Sequence, residues 1–118
     1  MARFVSYFRR GKTAGAATLD GKEASDFQLT TYAAVTGTYT VLSTDYAINC
    51  TSGTFTVTLL TAVGRSSQIF NIKNSGTGVI TIATTSAQTI DGQASGTITL
   101  NQYEAITVQS NGANWLIL

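Results

Sequence analysis

From Thr38 onward, apolar residues recur at every second position. The pairs and triplets run Tyr39 and Val41, Tyr46 with Ile48 and Cys50, Phe55 with Val57 and Leu59, and Phe70 with Ile72. They continue with Ile80 and Ile82, Ile98 and Leu100, Ile106 and Val108, and Trp115 with Ile117. Successive side chains of a strand point to opposite faces, so period two marks half-buried β-strands and leaves no room for helical faces. About eight short strands follow from this pattern. Turn signals separate them at Ser52-Gly53, Ser75-Gly76-Thr77-Gly78, Asp91-Gly92, Ser95-Gly96 and Asn111-Gly112, where glycine tolerates the positive φ of tight turns. The even spacing predicts an all-β fold: an antiparallel β-sandwich or small barrel, jelly-roll-like, with an extended N-terminal arm.

Charge is distributed in a way that few soluble monomers share. Of the thirteen charged residues in the chain of 118, eight precede Phe27: Arg3, Arg9, Arg10, Lys12, Asp20, Lys22, Glu23 and Asp26. The β region keeps only Asp45, Arg65, Lys73, Asp91 and Glu104, whereas a typical surface is roughly 25–35% charged. Threonine fills the strand positions facing away from the apolar set. A polar but uncharged face packs against another protein without the cost of desolvating ions.

Several kinds of chemistry are excluded by composition. Histidine is absent, which removes the commonest general base and metal ligand. Cys50 is the single cysteine, so neither an intrachain disulfide nor a thiolate metal cluster forms; its strand context reads as a small buried hydrophobe. Asp45, Asp91 and Glu104 are too scattered in sequence to suggest the facing carboxylate pair of glycoside hydrolysis. Trp115, with Tyr39, Tyr46 or Tyr103, has the makings of a sugar-stacking platform, but a tryptophan in the last strand is read first as closing the core. Asp91 is read as capping its own turn. No catalytic residue, metal or cofactor is expected.

Three segments follow: an arm at 1–15, a linking segment at 16–37 and a β domain at 38–118. The opening apolar run Phe4-Val5-Ser6-Tyr7-Phe8 stops at Arg9-Arg10, short of the ~7–15 residues of a signal-peptide apolar region. It is read as a retained arm. No stretch approaches the ~18 apolar residues of a membrane span, and the arm's four positive charges lack the patterning of a nucleic-acid site. Neither membrane nor nucleic acid is expected as a partner. Asp20-Gly21 reads as a turn with a helical turn after it, anchored by Leu19, Ala24, Phe27 and Leu29.

Two stretches resemble proteins of tailed-bacteriophage particles. Ala17-Thr18-Leu19-Asp20-Gly21-Lys22-Glu23-Ala24-Ser25-Asp26-Phe27 resembles a segment that recurs in fibre and spike proteins, generally at trimeric parts of the particle. Residues 38–118 are similar to a small β module of head-fibre, tail-fibre and decoration proteins. The matching residues are Thr56-Val57-Thr58-Leu59, Gly64, Phe70-Asn71-Ile72-Lys73-Asn74-Ser75-Gly76-Thr77-Gly78, Thr89-Ile90-Asp91-Gly92 and Ser110-Asn111-Gly112-Ala113-Asn114-Trp115-Leu116-Ile117-Leu118. Leu60 stands where that module usually carries proline. The resemblance implies a non-enzymatic virion protein, assembled in the host cytoplasm, that forms a homotrimer through Leu19, Asp20, Gly21, Phe27 and Leu29. Its partner is then the major capsid protein or another virion protein. The aromatic and arginine content of the arm, Arg3, Phe4, Tyr7, Phe8, Arg9 and Arg10, suits anchoring on the particle. Chain length favours a capsid decoration (cement) or short head-fibre protein. The alternative is a tail fibre or adaptor whose loops at Ser75–Gly78 or Asn111–Asn114 meet host glycan; a free-standing carbohydrate-binding accessory leaves the linking segment unexplained.

Overall fold

The computed structural model describes residues 30–118, together with the strands Thr18–Leu19 (β1) and Lys22–Glu23 (β2). β1 and β2 pair antiparallel, Leu19 opposite Lys22, and Lys22–Glu23 is a strand where a helical turn was expected to follow Asp20-Gly21. The strands that follow are Tyr32–Val35 (β3), Tyr39–Thr40 (β4), Ala47–Cys50 (β5), Phe55–Thr58 (β6), Ile69–Asn74 (β7), Ile80–Ala83 (β8), Ile98–Leu100 (β9), Ala105–Ser110 (β10) and Trp115–Ile117 (β11). No helix occurs among the described residues, and the fold is all-β.

Each of the eight alternating segments forms a strand, but their pairing departs from the antiparallel arrangement expected. One sheet has the order β9-β8-β6-β4 and the other β11-β10-β7-β5-β3. Consecutive strands from β3 to β8 alternate between the sheets, so each pairs in parallel with the strand two places along the chain: β3 with β5, β5 with β7, β4 with β6 and β6 with β8. The chain winds as a coil. Parallel neighbours need a long crossover, and here each crossover carries a strand of the opposite sheet. Only the last three strands return antiparallel, β9 on β8, β10 on β7 and β11 on β10. β3, within the segment 16–37, is the outer strand of the five-stranded sheet.

The inward residues of both sheets meet in one core. Ile48, Cys50, Phe70, Ile72, Val108 and Trp115 come from the five-stranded sheet, and Val57, Ile80, Ile82 and Leu100 from the other. Trp115 is completely buried against Phe70, with ring centroids 5.5 Å apart, and its indole N–H donates to the Leu60 carbonyl at 3.1 Å. It closes the core, as read from sequence, and is unavailable as a sugar platform.

Close stacking of successive corners explains two glycines. A Cβ on Gly76 would lie 2.8 Å from the Ser52 Cα, and one on Gly78 would collide with the Gly53 carbonyl. The corner at 75–78 therefore lies directly on that at 51–54. Asn74 locks this corner from inside: its amide nitrogen donates to Gly78 O and Leu100 O, both at 2.8 Å, and its Oδ1 accepts from Gly76 N at 2.9 Å.

Candidate functional site

The arm residues Arg3, Phe4, Tyr7, Phe8, Arg9 and Arg10 lie outside the described residues, as do Asp20, Gly21, Phe27 and Leu29 of the linking segment; Leu19 falls in β1. The candidate surfaces therefore come from the β domain.

Its carboxylates are all spent on local architecture. Asp45 accepts from the Tyr39 hydroxyl at 2.7 Å and from Leu42 N at 2.8 Å. Glu104 accepts from Asn101 N at 2.7 Å. Asp91 does not cap its own turn; its Oδ1 reaches across to Ile117 N at 3.0 Å and fastens β11. Burial and the Asp45 hydrogen bond push the Tyr39 phenol up to about 12, and burial alone pushes the Cys50 thiol up to about 11. Cys50 is fully buried and free, a small hydrophobe rather than a nucleophile. Among the described residues no cluster of three potential metal ligands exists, and no helix is long and apolar enough to cross a membrane.

In the loops singled out from sequence, Asn111, Asn114 and Ser75 spend polar groups on neighbouring backbone and side chains. Asn111 Oδ1 accepts from Ala113 N at 3.0 Å and Asn114 N at 2.8 Å, while Asn114 Oδ1 accepts from Thr89 N at 2.9 Å. Ser75 Oγ donates to Asn49 Oδ1 at 2.7 Å.

Two sheet faces carry the distinctive surface chemistry. On the four-stranded sheet, Thr99, Thr81 and Thr56 stand side by side on β9, β8 and β6, with Ala83, Thr58 and Thr40 in the next row. Thr54 accepts from Val79 N and Thr97 donates to Ala94 O, but the hydroxyls of Thr40, Thr56, Thr58, Thr81 and Thr99 have no side-chain hydrogen bond among the described residues. This is an uncharged lattice in which every hydroxyl is able both to donate and to accept.

On the five-stranded sheet, the register sets Ala34, Asn49, Lys73 and Ala105 in one row and Tyr32, Ala47, Asn71 and Thr107 in the next. Asn49 Nδ2 donates to the Tyr32 hydroxyl at 3.0 Å, and Thr107 Oγ1 donates to Asn71 Oδ1 at 2.7 Å. Lys73 Nζ donates to the Tyr103 carbonyl at 3.2 Å and lies 5.9 Å from that ring's centroid. Tyr32 and Tyr103 are 65% and 67% exposed, far more than aromatic rings of a folded domain usually are. Alternation alone places Lys73 outward. Grouping it with Tyr32 and Tyr103 required the strand order, which periodicity does not contain.

Comparison with protein-family models, with curated proteins and with solved structures returned no match.

Proposed function

We propose that this chain is a non-enzymatic structural protein of a tailed-bacteriophage particle, a homotrimeric capsid-decoration or short head-fibre protein held to the particle by its N-terminal arm. The observation that carries this reading is the threonine lattice on the four-stranded sheet. Its hydroxyls are self-complementary and its burial desolvates no ion. In this reading the two sheets are the layers of a wound sandwich, and the polar layer is shared between copies. The likeness of residues 17–27 to trimeric fibre segments supports the same assembly.

Size adds a constraint. Four strands about 4.8 Å apart, with two to four residues each at about 3.3 Å, make a face of about 200 Å², against the roughly 800 Å² per partner of a stable interface. The lattice alone is too small, so the segment 16–37 supplies most of the remaining contact.

Particles lacking the protein test the location. Normal adsorption to cells with loss of capsid stability, and hundreds of copies per intact particle, are the expected results. Failed adsorption with a dozen or fewer copies contradicts the decoration reading and favours a tail component.

A further inference from the structure

We infer that the outer face of the five-stranded sheet, between Tyr32 and Tyr103, is a binding site for an acidic saccharide, a pyranose bearing a carboxylate. This goes beyond the structural role proposed above and does not depend on it.

Three observations converge. First, Lys73 is the single charged residue among the outward positions of these five strands, and it meets no carboxylate there. One of its three N–H donors goes to the Tyr103 carbonyl, which leaves two available to a ligand. Second, the floor is made of Ala34, Ala47 and Ala105, with the amides of Asn49 and Asn71 between them. That floor is uncharged, and Asn49, which keeps one N–H beside its bonds to the Tyr32 and Ser75 hydroxyls, sits on the strand next to Lys73, about 4.8 Å away. The two neighbouring groups suit a hydroxyl and a carboxylate of one sugar ring. Third, Tyr103 has a φ of 67°, a conformation that bulky side chains rarely adopt. The bond from its N–H to the Asn74 carbonyl at 2.6 Å holds it there, with the ring in solvent. Nothing in the core needs a tyrosine at this place, and backbone strain of this kind concentrates where a side chain must be presented to a ligand. Apolar faces of pyranose rings pack on such rings, while Lys73 selects for negative charge.

The purified full chain is titrated with 3′-sialyllactose, trigalacturonate and a hyaluronan tetrasaccharide, and with lactose and maltotriose as neutral probes, by isothermal titration and saturation-transfer NMR. At least one acidic probe binds with a dissociation constant of roughly 0.1–1 mM, about tenfold tighter than either neutral probe. Lys73→Gln and Tyr103→Gly each weaken it about tenfold or more, and added salt weakens it as well. Tyr103→Gly raises the melting temperature while binding falls, a split that loss of folding cannot produce. Val63→Ser, on an exposed residue away from this face, leaves binding unchanged. The inference is overturned if no acidic probe binds, if neutral probes bind as tightly, or if Lys73→Gln and Tyr103→Gly retain affinity. It is also overturned if the Tyr32 and Tyr103 rings become protected when copies associate, because the occupant is then another copy of the chain.

Discussion

Asn74 is completely buried, yet each polar group of its amide is engaged, with two donors on carbonyls from different turns and one acceptor on a backbone N–H. Removing the amide takes a donor from the Gly78 and Leu100 carbonyls and leaves Gly76 N with only its longer bond to Cys50 O at 3.2 Å. Asn74→Ala is therefore expected to cost about 3 kcal/mol in urea unfolding; a loss below about 1 kcal/mol would mean that water replaces the amide. The pH response also belongs to single residues. The phenol of Tyr39 is raised from 10.0 to about 12, chiefly by burial and then by its bond to Asp45. A raised folded value favours the protonated form, so its contribution is complete below pH 10 and disappears as pH rises towards 12. The melting temperature should fall across that window, and Tyr39→Phe should flatten the fall; an unchanged fall would contradict the assignment to Tyr39. Cys50, pushed up to about 11 by burial, should react with iodoacetamide at pH 8 only at the rate of global unfolding.

Among the elements, β11 depends on a remote turn. The Asp91-Gly92 pair takes positive φ at both residues, 49° and 79°, between the bridged residues Ile90 and Gln93, which suits a two-residue primed turn. From there the Asp91 carboxylate holds Ile117 N. Asp91→Ala should cost about 1–2 kcal/mol and speed hydrogen exchange at Ile117, whereas the amides of β7 keep their protection; unchanged exchange at Ile117 would show that the bond does not hold the strand. The positions of β4 to β11 were legible because each has an apolar residue every second place. β3 was not, because Tyr32-Ala33-Ala34-Val35 carries almost no contrast between its faces. Strand direction was also hidden: period two is the same in parallel and antiparallel sheets, and the coil shows only when β5 is seen beside β7 instead of β6. For the same reason Gly76 and Gly78 read as turn residues, although close stacking of two corners is what requires them. Of the candidate surface, Thr56, Thr58, Thr81 and Thr99 could be placed outward from alternation, but their alignment across strands could not.

For the whole molecule, the charge deficit and the fold describe one design. The coil leaves a polar, ion-free layer on one side, and the charges gather in a segment ahead of it. In the proposed trimer a lattice of about 200 Å² cannot hold copies together alone, so assembly should be divided between the β domain and residues 16–37, with residues 1–15 left to meet the particle. Deleting 1–15 is then expected to leave a folded trimer that no longer attaches to particles; attachment by the truncated protein would remove the arm from that role. Assembly is the claim on which the rest depends, and sedimentation equilibrium of the purified full chain at micromolar concentration tests it most directly. The predicted result is a single species with three times the 12.4 kDa mass of one chain, and a clean monomer would contradict it.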